Sequence, residues 1–145
     1  MAVAHAYFDT SVLVKRFVDE SGSARARALS RRYRFLSSAI APAEATSAVS
    51  RRRAAGDLSE PDVADILERM ARERRTWELV AITSLVLSRA EELIRYHTLR
   101  TLDAVHVASA LIFQTDTGYH VPFVTADARQ REAAGRVNLE VVWVG

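Results

Sequence analysis

The chain has 145 residues, 49% of them hydrophobic, and a formal charge of only +2. That length supports one domain with a real core, and that hydrophobicity excludes disorder as the main state. Cysteine is absent, which excludes disulfides, thiol catalysis and cysteine-held zinc together, and leaves carboxylates and histidine as the metal donors.

Residues 2–11, AVAHAYFDTS, open the chain as a short apolar run that stops at an acid and two hydroxyls. Apolar and aromatic residues without Gly or Pro read as a buried strand, with Asp9 at its end. Residues 11–20 then read as a helix, broken at Ser21-Gly22-Ser23, with a second helix over 24–34. Residues 35–40 are the second strand. Pro42 suits the first turn of the next helix, which carries Glu44 and stops at Gly56. Ser59 and Asp62 have capping-box spacing ahead of a helix with an apolar stripe of Val63, Ile66, Leu67 and Met70. Residues 77–82 form the third strand. Thr83 and Ser84 cap a helix whose inner face is Val86, Ala90, Leu93, Ile94 and His97. Thr101 caps a helix to about residue 113, apolar nearly all round and therefore deeply packed. Residues 121–125 are a fourth strand, 127–134 a short helix and 139–144 a fifth strand.

Strands alternating with helices give an α/β fold: a mainly parallel sheet of four to five strands flanked by helices on both faces. No repeat or linker interrupts it, so residues 1–145 read as one domain. No apolar run approaches a membrane span. No charged-then-apolar leader with a cleavage site precedes the first strand, so a cytoplasmic protein is expected.

The acids then fall into a pattern. Asp9 ends the first strand, Glu44 lies in the first turn after the second, Asp103 in the first turn after Thr101, and Asp127 just past the fourth strand. In an open α/β sheet ligands bind beyond the carboxyl ends of the strands. Each acid alone has a structural explanation, since carboxylates are favoured at helix starts. Capping is the stronger reading for Asp127 alone; Asp103 stands in an apolar helix, and Asp9 has no obvious structural role. Together they suggest a shared cation. Clustered carboxylates repel, so without metal at least one should have a raised pKa. Oxygen donors favour Mg²⁺ or Mn²⁺, which assist phosphodiester hydrolysis.

Thr10, Ser11 and Thr125 are candidates to hold a metal-bound water or a phosphate oxygen, with helix capping equally available to Ser11. His106, one turn from Asp103, reads better as a packed, hydrogen-bonded residue than as a ligand. His5, His97 and His120 lack a partner at ligand spacing. Lys15 and Arg16 read as a solvated face rather than a phosphate contact. Asp19, Glu20, Glu91, Glu92 and Asp116 read as surface acids. Lys15 is the only lysine; arginine suits phosphate, but clusters such as Arg51, Arg52 and Arg53 are as well explained by solvated helix faces.

The stretches YFDTSVLVK, PAEATSAVSRRRAAGDLS, TLDAVHVASAL and PFVTADARQREAA, in that order, resemble the PIN-domain nucleases. In size and layout the chain is similar to the toxin ribonucleases of VapBC toxin–antitoxin pairs. The resemblance covers nearly the whole chain. It implies a Mg²⁺- or Mn²⁺-dependent endoribonuclease with metal-holding, catalytic acids at Asp9, Glu44, Asp103 and Asp127 and family hydroxyls at Thr10, Ser11 and Thr125. It also implies an RNA substrate, a homodimer and a small antitoxin that blocks the acidic pocket. Gln130-Arg131 departs from it, being polar where an apolar residue often follows the last acid. The helices around residues 63–70 and 85–94 are candidate dimer surfaces. Three other readings are a PIN nuclease of RNA processing, a phosphatase-like domain with Asp9 as nucleophile, and a non-catalytic module that binds RNA or a partner.

Overall fold

The computed structural model describes residues 3–145; Ala2, where the first predicted strand opens, lies outside them. Five strands form one sheet: β1 (His5–Phe8), β2 (Arg34–Ser38), β3 (Glu78–Val80), β4 (Phe123–Thr125) and β5 (Val141–Trp143). All pairings are parallel, in the order β3-β2-β1-β4-β5. The expected α/β architecture is therefore the observed one. The chain winds outward from β1 to β3, then crosses back to lay β4 on the other side of β1. That reversal makes the β1/β4 boundary the topological switch point, where a crevice opens beyond the strand ends.

Among the described residues seven α-helices cover the sheet: α1 (Thr10–Phe17), α2 (Ser23–Arg32), α3 (Ala41–Ala54), α4 (Glu60–Glu73), α5 (Ser84–His97), α6 (Thr101–Thr117) and α7 (Ala128–Arg136). Because side chains alternate along a strand, β1 feeds both faces. Ala6 and Phe8 join Leu13, Phe17, Val49 and Ile66 from α1, α3 and α4. Tyr7 joins Val86, Leu93, Val107 and Ala133 from α5, α6 and α7. Phe8 stacks on Phe35 at 4.9 Å and Tyr7 on Phe123 at 5.3 Å. Burial on both faces is why the strands show no polar alternation in sequence.

Several boundaries and roles differ from expectation. The strands are shorter than their apolar runs, because Trp77, Val121 and Leu139 are buried as packing rather than as ladder residues. The Ser59–Asp62 capping box and the Thr83 cap are present. Thr101 does not cap α6: Arg100 occupies the N-cap position without a side-chain bond, and Thr101 is the first helical residue. On α4, Val63, Ile66 and Met70 are buried in the chain's own core, so that stripe is not a free dimer surface. Leu85 and Leu87 on α5 are exposed. No helix among the described residues is long and apolar enough to cross a membrane.

Gly22, the N-cap of α2, has φ of +88°, and a Cβ there would sit 2.4 Å from the Val144 carbonyl oxygen. Left-handed backbone is unfavourable for other residues, and this contact is with main chain that has little room to yield. Gly22→Ala is expected to destabilise the fold by about 2 kcal/mol, a fall of roughly 6 °C in Tm. Thermal denaturation followed by circular dichroism checks it; an unchanged Tm contradicts the packing described.

Candidate active site

Asp9 is the first residue past β1, and its backbone N–H still bonds the Val124 carbonyl of β4 at 3.1 Å. The switch point thus places it directly. It is only 1% exposed. Its Oδ1 accepts from the Val12 N–H at 3.2 Å and the Ser11 hydroxyl at 2.5 Å, and its Oδ2 accepts from the Thr125 hydroxyl at 2.5 Å. Asp9 is therefore the N-cap of α1, a structural role not apparent from sequence. Burial raises its pKa above the usual carboxylate range, against the opposing effects of His106, Ser11, Thr125 and the Val12 N–H. The shift comes from burial, and none of the other three acids is among its causes.

Glu44 reaches the same region from the first turn of α3. Its Oε1 accepts from the Thr10 hydroxyl at 2.8 Å and lies 2.6 Å from His106 Nε2. On its other side His106 Nδ1 lies 2.7 Å from the Tyr7 hydroxyl. An ionised Glu44 needs a proton on Nε2, so in the neutral ring Tyr7 donates to Nδ1. Burial pushes Tyr7 well above its ordinary pKa, so the phenol keeps that proton. Tyr7, His106 and Glu44 form a chain from the sheet interior to the surface. His106 is 1% exposed. It is the packed histidine that was expected, and it also holds a site carboxylate.

Asp103, in the first turn of α6, accepts at Oδ1 from Gln130 Nε2 at 2.8 Å. Asp127 is the N-cap of α7, with Oδ1 accepting from the N–H groups of Arg129 at 2.9 Å and Gln130 at 3.0 Å. All four acids, with Thr10, Ser11, His106 and Gln130, line one cleft of about 840 Å³. Lys15, Arg51 and Arg52 line it as well. Glu20 is half-buried there between Lys15 and Arg52, and is not a plain surface acid. Arg16 lies outside the cleft lining and pairs with Glu73 at 2.7 Å.

Of the three hydroxyls, Thr10 and Ser11 line the cleft and Thr125 does not. Thr125 is fully buried behind Asp9, outside the cleft lining, and accepts from the Asp127 N–H at 3.0 Å. Ser11 and Thr10 reach the cleft, but all three hydroxyls direct their protons to carboxylates. They hold acids in place rather than offering donors to a phosphate. Asp9, with both oxygens engaged and almost no exposure, is also badly placed to act as a nucleophile.

The donor set can be tested against a divalent cation. Among the described residues, no group of three or more His, Asp and Glu side chains is gathered closely enough to hold a metal as it stands. Glu44, Asp103 and Asp127 do share a feature: each takes its hydrogen bonds on one oxygen, and the other has no donor among the described residues. Magnesium is commonly held by one or two carboxylates and keeps several waters. Open carboxylate oxygens around a wet cleft fit that mode, whereas a closed cage of protein ligands does not match the spacing.

Glu44 gives a pH signature. Burial opposes its ionisation, but the hydrogen bond and charge of His106, with the Thr10 hydroxyl, hold its pKa below the ordinary 4.5. A depressed pKa in the folded state adds stability above the unfolded value, and that stability is lost as pH falls through the folded value. The acid-side loss below about pH 4.5 should therefore shrink in Glu44→Gln. Denaturant melts across that range check it, and an unchanged acid limb contradicts it.

From sequence Gln130 reads only as a departure from the family pattern, and Tyr7 as part of a buried strand. The available signal was spacing: His106 and Gln130 each follow a site acid by three residues, about one helical turn.

Taken together, the molecule is a doubly wound parallel α/β domain with an acid-lined cleft at its switch point. The family model for the PIN domain matches residues 6–136, and the chain belongs to that family. Two relatives from Mycobacterium tuberculosis, Ribonuclease VapC45 (strain CDC 1551 / Oshkosh) and Ribonuclease VapC49 (strain H37Rv), are each 38% identical over 113 residues. Those alignments cover 72% of this chain and 74% of each relative. Among solved structures, FitAcB from Neisseria gonorrhoeae aligns with a TM-score of 0.71 over 94% of this chain and 95% of that one, at 16% identity. A toxin–antitoxin complex from Klebsiella pneumoniae aligns with a TM-score of 0.60 over 86% and 88%, also at 16% identity. At that identity these two structures speak to the fold.

Proposed function

We propose that this chain is a Mg²⁺- or Mn²⁺-dependent endoribonuclease acting as the toxin of a type II toxin–antitoxin pair. The observation that carries the reading is the convergence of Asp9, Glu44, Asp103 and Asp127 on one cleft at the switch point. Support comes from the relatives, which are named ribonucleases and share more than a third of the aligned residues. A small antitoxin partner and pairing with a second copy of the chain follow from the same family resemblance.

On this reading one or two of Glu44, Asp103 and Asp127 would hold the cation directly through open oxygens, and the remainder would act through its waters. When bound, it supplies Lewis acidity and offsets charge on the scissile phosphate. Asp9 stands at the floor of the cleft and, by accepting from the Ser11 hydroxyl and the Val12 N–H, holds the start of α1. Thr10 and His106 fix Glu44. Lys15, Arg51 and Arg52 offset neighbouring phosphates of the RNA.

The test is cleavage of single-stranded RNA by the purified chain with Mn²⁺, with Mg²⁺ and with EDTA. Cleavage should need metal and fall about 10- to 100-fold in Glu44→Gln. Expression of the wild type, but not of Glu44→Gln, should arrest growth of a bacterial host. Undiminished cleavage in EDTA overturns the metal reading. Binding of RNA without cleavage in either metal would replace it with the non-catalytic module.

A further inference from the structure

Gln130 touches two of the four acids, which sit on different helices. Its backbone N–H donates to Asp127 Oδ1 at 3.0 Å, and its side-chain amide donates to Asp103 Oδ1 at 2.8 Å. The side chain is 4% exposed at the cleft wall. Only the NH₂ end of the amide can face a carboxylate, so Oε1 must turn away. That oxygen is buried with no hydrogen-bond donor among the described residues. Burying an unpaired acceptor opposes folding, and an apolar side chain of similar size would pack there without that penalty. Packing alone therefore does not account for a glutamine at this position, whereas a donor aimed at Asp103 does.

Resting on the metal reading above, we propose that Gln130 is a positioning residue. It ties the start of α7 to the start of α6, sets the separation of the Asp103 and Asp127 carboxylates, and leaves Asp103 Oδ2 turned toward the divalent ion. Partners of this kind, one bond removed from a metal, orient the ligand, and their loss weakens binding without removing a ligand.

The experiment is Mn²⁺ titration of the full chain by calorimetry, with Tm measured alongside, for wild type, Gln130→Met and Gln130→Leu. Both variants lose the side-chain donor and keep the backbone bond to Asp127. Mn²⁺ affinity should fall about 10- to 100-fold in both, while the metal-free Tm holds or rises. In an Asp103→Ala background, Gln130→Met should change Mn²⁺ affinity no further, because the residue acts through Asp103. The inference is overturned if both variants bind Mn²⁺ as the wild type does, whatever happens to Tm. It is also overturned if the loss is as large without Asp103. A wild type that takes up no Mn²⁺ overturns the metal reading and this inference with it. Wild-type binding that the variants match overturns this inference alone.

Discussion

Asp9→Asn is expected to slow RNA cleavage by about 100-fold or more and, in the same protein without metal, to raise Tm by roughly 3 °C. The two effects share one cause. Asp9 is buried with its pKa raised above the usual 3.8, so the folded state holds its proton more tightly than the unfolded chain does. A raised folded pKa means that stability falls as pH climbs above 3.8 and through the folded value. Asparagine keeps an acceptor for the Val12 N–H and the Ser11 hydroxyl, and its NH₂ can donate to the Thr125 oxygen, but the Thr125 proton loses its acceptor. The loss of that bond offsets part of the gain from removing the charge. The stability gain should shrink as pH is lowered through the raised folded value and be gone below 3.8, where the folded and unfolded chains both carry the proton. Cleavage rates and melting curves across pH check both halves. A variant that cuts at the wild-type rate, or melts below the wild type at neutral pH, contradicts the role given to Asp9.

The second large effect concerns His106. Replacing it by leucine strips the Tyr7 hydroxyl of its ring partner in a region closed to water, and takes a hydrogen bond from Glu44 at the cleft wall. A buried hydroxyl left unpaired costs about 1–3 kcal/mol, and the shape change adds to it. His106→Leu is expected to destabilise the fold by about 3 kcal/mol, a fall of roughly 10 °C in Tm. Adding Tyr7→Phe removes the orphaned hydroxyl, so the double variant should recover about 1 kcal/mol relative to His106→Leu alone. Urea denaturation of the four proteins measures this coupling. Strict additivity would mean that Tyr7 and His106 do not share a hydrogen bond.

Much of the architecture was legible in the sequence because it rests on local signals. Unalternating apolar runs meant strands covered on both faces, and acids at the ends of those runs meant a common rim. What was not legible depends on contacts between distant stretches. His106 meets Glu44 across 62 residues and Gln130 meets Asp103 across 27, and no spacing rule along one helix encodes a bond to another. The same limit applies to Thr125, whose hydroxyl looks available next to a strand end until β4 is laid against β1 and turns it onto Asp9. An apolar stripe such as Val63, Ile66 and Met70 reads the same whether its partner is the chain's own core or a second molecule. The capping role of Asp9 is hidden for a different reason: Ser11 reads as the helix start from sequence, whereas the helix begins one residue earlier, at Thr10.

Since every strand points the same way, the sheet has a chemical rim and a silent one. The turn from α6 into β4, residues 118–122, lies on the silent rim, with Gly118 facing open space and Tyr119 well exposed. An inserted tag or a dye attached at residue 119 therefore lands a full strand length from the acids.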